Sequence, residues 1–226
     1  MVAALSAGIA PAVAFMTFIY LRDRITEPLW LIARMFVTGA LIVLPIMFIQ
    51  YGIHTEMNHV PIIMEAFLFS AFLEEFFKWF MFMFLIYQHE EFDNHYDGIV
   101  YASAISLGFA SLENVFYLLS NGIEFAWMRA LYPVSSHALF GIIMGYYLGK
   151  AKMYAKYKRR YSTMAFVLPV LLHGIYNYIL LGLNQFIITL SIFLACVWIF
   201  AIYRLKHARM YDIRFLPNKI NKKTNE

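Results

Sequence analysis

The sequence predicts an all-α polytopic membrane protein, a bundle of seven transmembrane helices. Three observations carry that prediction. Of 226 residues, 62% are hydrophobic and only 14% charged, where soluble domains carry about a quarter charged residues. Apolar runs of about 20 residues recur along the chain, the length that crosses roughly 30 Å of hydrocarbon at 1.5 Å per residue. These runs are apolar on all sides rather than striped, as expected where lipid surrounds a bundle.

The spans read in order as 2–20, 30–52, 62–87, 98–120, 127–149, 163–182 and 185–203. The first begins at Val2 with no basic stretch ahead of it, so it reads as a span rather than a cleaved leader. Residues 1–204 form the membrane domain and 205–226 a basic cytoplasmic tail, whose end "NKINKKTNE" (218–226) is polar and basic and is expected to be unstructured and to lie near anionic lipid headgroups. Orientation follows from Lys and Arg. Arg22 and Arg24 follow the first span, Lys150, Lys152, Lys156, Lys158, Arg159 and Arg160 crowd the loop after the fifth, and the tail is again basic. The loops at 53–61, 121–126 and 183–184 carry none. The N-terminus is therefore expected outside and the C-terminus in the cytoplasm. The acidic stretch "HEEFDNHYDG" reads as a solvated loop. Cys196, alone in an apolar span, reads as a buried thiol and excludes a disulfide framework or a zinc knuckle. Membrane lipid is an expected partner, and nothing calls for nucleic acid.

The informative residues are the polar ones inside the spans. The third span contains "FLEEFFKWF", with Glu74, Glu75 and Lys78; Glu113, His137 and His173 lie at similar depth in three other spans. Each ionisable group in a bilayer costs on the order of 2.5–3.5 kcal/mol on insertion scales, and such groups usually face the bundle interior. Shared depth suggests one buried polar pocket. Glu74 and Lys78 are i,i+4, which suits an ion pair and leaves Glu75 free for another partner. His173 and Asn177 share a face. Gly141, Gly145 and Gly149 form a small-residue stripe below His137, permitting close helix approach. Pro133 and Pro169 each stand four residues before a histidine, where proline weakens a helix.

Hydrolysis of an amide needs an activated water, a proton donor and a group to hold the oxyanion. Glu, His and Asn from separate helices can supply these. There is no G-x-S-x-G and no H-E-x-x-H, so serine and zincin schemes fall behind. Plainer readings stand beside this one: a structural Glu74–Lys78 pair, hydrogen-bonded core histidines, and Glu113 paired with Arg129 at the outer face. Mid-membrane Glu and His also suit a proton-coupled transporter or channel, or a non-catalytic scaffold.

In order along the chain, "EEFFK", "SLENVFY", the His of "SSHALFGIIMGYYLG" and "HGIYN" resemble the PrsW family of bacterial intramembrane proteases. They are similar, more distantly, to the CAAX-prenyl-protease and bacteriocin-processing group, although Trp79 stands where that branch has its Arg. The resemblance implies a multi-pass protein of the bacterial plasma membrane. It implies site-1 cleavage of a single-span, membrane-anchored anti-sigma factor on its extracytoplasmic side, after which a second protease completes release of the sigma factor. It maps the family's paired glutamates to Glu74 and Glu75, its histidines to His137 and His173, and its following asparagine to Asn177. In this reading Glu75 (or Glu74) activates water, His137 assists, His173 and Asn177 stabilise the transition state, Lys78 tunes the pair and Glu113 lines the site. Two mechanisms stay open: a Zn2+ site formed by Glu75, His137 and His173, or metal-free glutamate chemistry.

Overall fold

The computed structural model describes residues 1–57 and 59–223, with side chains described to residue 212. Its helices, in chain order, are α1 (Val2–Tyr20), α2 (Leu29–Leu41), α3 (Val43–Glu56), α4 (Ile62–Met64), α5 (Leu73–Leu85), α6 (His95–Asn121), α7 (Ala126–Arg129), α8 (Ser135–Met153), α9 (Lys158–Gly182) and α10 (Phe186–Lys223). Two π-helical stretches, Glu65–Phe72 and Ala130–Val134, join α4 to α5 and α7 to α8. There is no strand among the described residues.

Five stretches are long and apolar enough to cross a membrane: Val2–Tyr20, Leu29–Glu56, His95–Asn121, Ala155–Gly182 and Phe186–Asp212. The expected third and fifth spans are helical too, over 62–85 and 126–153. They do not stand out by composition, the third because it carries Glu65, Glu74, Glu75 and Lys78. The expected span 30–52 is two helices in line, parted at Ile42. Pro45 has no N–H to give the Leu41 carbonyl, which ends the regular ladder there.

α6 is the axis of the bundle. Of its apolar window, 83% is buried, against 22–33% for the other four stretches, whose outer faces are left for lipid. It packs on α8, α2 and α1, while α9 lies against α8 and the Glu65–Phe72 stretch. Close approach needs glycine at two places. Gly98 of α6 and Gly145 of α8 face each other so tightly that a Cβ on either would strike the other's carbonyl. Gly39 of α2 and Gly108 of α6 meet the backbone at Ile105 and Phe36 in the same way. The stripe on α8 is thus a helix-packing surface.

Three expectations are corrected. Residues 218–223 are not unstructured: α10 continues without a break as helix to Lys223, and 224–226 lie outside the described residues. The Asp212 carboxylate accepts the backbone N–H groups of His95 and Tyr96, both at 3.0 Å, so that α10 helps to cap the N-terminus of α6. The Tyr146 hydroxyl and His207 Nδ1, 2.9 Å apart, add a second tie. The "HEEFDNHYDG" stretch is not a solvated loop either. Phe92, Asn94, His95, Tyr96 and Asp97 are buried, because Asn94 and Asp97 form a capping box that starts α6 inside the protein. Cys196 is exposed, on the face of α10 turned away from the bundle.

Asp97 also meets Glu27 and Asp23 of the α1–α2 loop, and the Tyr101 hydroxyl donates to Glu27. Burial, only partly offset by that bond, pushes the Glu27 carboxyl from the ordinary 4.5 to about 7. Burial likewise pushes Asp23 up to about 6. The folded protein therefore holds protons that the unfolded chain has released, so stability falls as pH rises through this window and levels off above it. Measured relative to Glu27→Gln, the melting temperature of wild type in detergent should drop between pH 4.5 and about 7. A difference that stays constant with pH would contradict it.

Candidate active site

The site is built where α5, α6, α8 and α9 meet, at the end of the Glu65–Phe72 π stretch. At its centre is the Lys78 ammonium, 1% exposed. It donates to Glu75 Oε1 at 2.8 Å and to His137 Nδ1 at 3.1 Å, and stands 3.7 Å from Glu74 Oε2. Its fourth side lies over the Phe109 ring, 4.2 Å from the centroid. The expected pairing is therefore changed. The closer partner of Lys78 is Glu75 at i,i+3, not Glu74 at i,i+4. Glu75 is completely buried on the side toward α9, whereas Glu74 turns toward a cleft facing α3.

Each histidine is held by a carboxylate. His173 Nδ1 donates to Glu75 Oε1 at 3.0 Å, which leaves Nε2 facing Glu74 Oε2, 3.9 Å away. His137 takes Lys78 on Nδ1 and donates from Nε2 to Glu113 Oε2 at 3.1 Å. These partners set the tautomer of each ring. The two imidazoles meet edge to face at 5.2 Å, and Phe140 stacks on His173 at 5.2 Å. Ser106 donates to the His137 carbonyl at 2.7 Å, fixing α8 on α6. Pro133 lies in the π stretch just before His137, while Pro169 is accommodated in an unbroken α9.

Glu113 does pair with Arg129, whose Nη2 lies 2.9 Å from Oε1. That bond leaves Oε2 for His137, so the pairing supports the site rather than replacing it. Arg129 also donates to Asn114 Oδ1 at 2.8 Å and covers the Tyr117 ring at 4.1 Å. Asn177 is one contact removed. Its amide donates to Ser70 Oγ at 2.8 Å, and Ser70 donates to Glu74 Oε1 at 3.0 Å. The expectation of a free amide for an oxyanion is thus replaced by a chain that orients Glu74.

The structure joins all seven sequence-predicted residues in one network, Asn177 through Ser70. Sequence reasoning missed Ser70, although it stands one turn before Glu74, and missed Asn114 and Gln50. Gln50 donates from α3 to the Phe69 carbonyl at 3.0 Å, within the π stretch.

Glu74, Glu75, His137 and His173 bring ligand atoms within 4.8 Å of one another, a donor set able to hold a metal ion. Glu74 Oε2 and Glu75 Oε2 are buried without a hydrogen-bond partner. Two histidines, each oriented by a carboxylate on its other nitrogen, are the usual support of a metal centre. The residues therefore fit such an ion.

A profile of the family described as "PrsW family intramembrane metalloprotease" matches residues 27–204. The chain belongs to the PrsW family. It is 66% identical to Protease PrsW of Oceanobacillus iheyensis over 92% of this chain and 97% of that protein. It is 47% identical to Protease PrsW of Bacillus subtilis, over 94% and 99%, and 30% identical to that of Clostridioides difficile, over 84% and 85%. No solved structure matches the chain. A PrsW protein is a peptidase of the membrane, and this membership gives no support to the transporter reading.

Removing Lys78 leaves Glu75 buried with its cation gone. Lys78→Met should destabilise the protein by about 3–5 kcal/mol, and adding Glu75→Gln should recover part of the loss. Thermal unfolding of the singles and the double in detergent reads this directly; additive losses would contradict the pairing.

Proposed function

We propose that this protein is an intramembrane endopeptidase that makes the first cut in a single-span anti-sigma factor, on its extracytoplasmic side, in the bacterial plasma membrane. The observation that carries the proposal is the meeting of Glu74, Glu75, His137 and His173, of which Glu74, with Glu113, lines an adjoining cleft. All seven helical stretches cross the bilayer in this reading, because 62–85, at 1.5 Å per residue, is about 36 Å long. Lys150, Lys156, Lys158, Arg159 and the basic tail mark the cytoplasmic side. Lipid surrounds residues 1–204, and 205–226 lies at the cytoplasmic headgroups. The cleft lies along the half of α6 that ends at Asn121, away from the basic end, so the site faces outward.

Glu74 is the working carboxylate. Its side chain lines the cleft; Ser70, itself held by Asn177, donates to Oε1, and the buried Oε2 stands toward Lys78 and His173. It takes the proton from the attacking water and returns it to the leaving amine. His173 Nε2 stands beside it to exchange a proton or steady the oxyanion. Glu75 is the organiser, fixing His173 and neutralised by Lys78. Glu113 does the same for His137. Zn2+ would be held by His137, His173 and a carboxylate oxygen left without a partner, Oε2 of Glu74 or of Glu75. His137 Nδ1 joins that set when it gives up its bond to Lys78. When bound, such an ion polarises the scissile carbonyl and acidifies water. Counted as ionised, Glu74, Glu75 and Glu113 exceed Lys78 and Arg129 by one charge, which favours a cation in the site.

The test uses purified protein, a purified single-span anti-sigma factor and detergent, with and without chelator, and with elemental analysis for bound metal. Wild type should cleave, and His173→Ala should lower the rate by about 100-fold or more while remaining folded. Loss on chelation and recovery with zinc assigns the metal. Cleavage by His173→Ala at the wild-type rate would overturn the site.

A further inference from the structure

Two of the depressions on the sides of the bundle differ in kind. One, about 460 Å³ between α1, α10 and the 126–135 stretch, is lined by Phe15, Phe18, Trp127, Leu131 and Trp198 and reaches none of the site's side chains. The other, about 280 Å³, lies between α3 and α6 and has Glu74 at its base. Its α3 wall presents Val43, Ile46, Met47 and Gln50, one face of the helix at i, i+3, i+4 and i+7. Its α6 wall runs from Phe109 through Glu113 and Tyr117 to Asn121. Twelve residues of helix span about 18 Å, which an extended chain covers in about five residues.

α3 is suited to be a movable wall. Beyond Ile46 no residue of α3 is buried. Side-chain bonds tie that half to the π stretch: Gln50 to the Phe69 carbonyl, and His54 Nε2 to Glu65 Oε1 at 3.2 Å. The break at Ile42 lies just before its first turn. An extended peptide at membrane depth must find partners for its own N–H and C=O groups. The amide of Gln50 can both donate and accept, and Tyr117, Ser120 and Asn121 continue the polar lining toward the surface.

We infer that the α3–α6 cleft receives the scissile segment of the substrate as an extended strand of about five residues, with Gln50 as a positioning residue that exchanges its bond to Phe69 for one to the substrate backbone. This rests on the protease reading above and adds the route and the conformation of the substrate. The larger groove lacks backbone-pairing groups near the carboxylates and is left to lipid.

The test places a photoreactive benzoylphenylalanine at Met47, which is 45% exposed and lines the cleft, in a Glu74→Gln background. Control probes at Phe48, 77% exposed, and at Leu131 in the larger groove report the other surfaces. The partner is the purified anti-sigma factor of the cleavage assay. Capture at Met47 and not at the controls is expected. Gln50→Leu should raise KM about tenfold and leave kcat within about twofold. If wild type cleaves but capture occurs only at Phe48 or Leu131, the cleft inference falls and the protease reading stands. If wild type does not cleave but Met47 captures, the cleft binds polypeptide and the substrate reading falls. If neither occurs, both fall.

Discussion

The structure depends on one ammonium group held out of water. Lys78 has no exposure to speak of, and it is stable there only because Glu75, His137, the more distant Glu74 and the Phe109 ring surround it. A buried charge that is paired and hydrogen-bonded can persist, whereas one that has lost its partner is strongly destabilising. Each partner of Lys78 is itself tied to another helix. Glu75 holds His173 of α9, and His137 of α8 holds Glu113 of α6. The ion pair is therefore both the electrostatic centre of the site and the joint at which four helices meet.

That joint needs a rigid frame, which the rest of the bundle provides by close backbone packing. In lipid there is little hydrophobic gain in bringing helices together, so small residues and interhelical hydrogen bonds carry the association. Gly98 against Gly145 draws α8 onto α6, and Gly39 against Ile105 with Gly108 against Phe36 draws α2 onto it. Asp212 helps to cap the end of α6, and Asn114 reaches the Gly8 carbonyl of α1 at 3.2 Å. The outer half of α3 is the exception, attached by side chains alone. Rigidity at the carboxylates and freedom at the wall beside them is the division expected of a site that must admit a polypeptide.

Much of this was legible in the sequence, for physical reasons. Helix content followed from apolar runs of bilayer length. The convergence of Glu74, Glu75, Glu113, His137 and His173 followed from the cost of leaving charge in hydrocarbon. What was not legible depends on side-chain direction and on distant partners. Spacing alone allowed Lys78 to reach Glu74 or Glu75, and the burial of Glu75 decided for the latter. Asn177 shares a face with His173, yet Ser70, far away in sequence, takes its amide. The acidic 89–98 stretch looked solvated because its partners, Glu27 and Asp212, lie in remote segments. The same holds for the helical tail, whose anchor is the N-terminus of α6.

The central claim is a division of labour between adjacent glutamates, with Glu74 acting on the substrate and Glu75 holding the site together. It is tested most directly by comparing Glu74→Gln and Glu75→Gln on one preparation, with melting temperature and single-turnover cleavage of the anti-sigma factor measured together. The account predicts that Glu74→Gln melts close to wild type and loses about 100-fold or more in cleavage. Glu75→Gln should melt several degrees lower, by roughly 4 to 8 °C for each kcal/mol lost in a small domain and less in a larger one. Stable, active Glu74→Gln beside stable, inactive Glu75→Gln would contradict it.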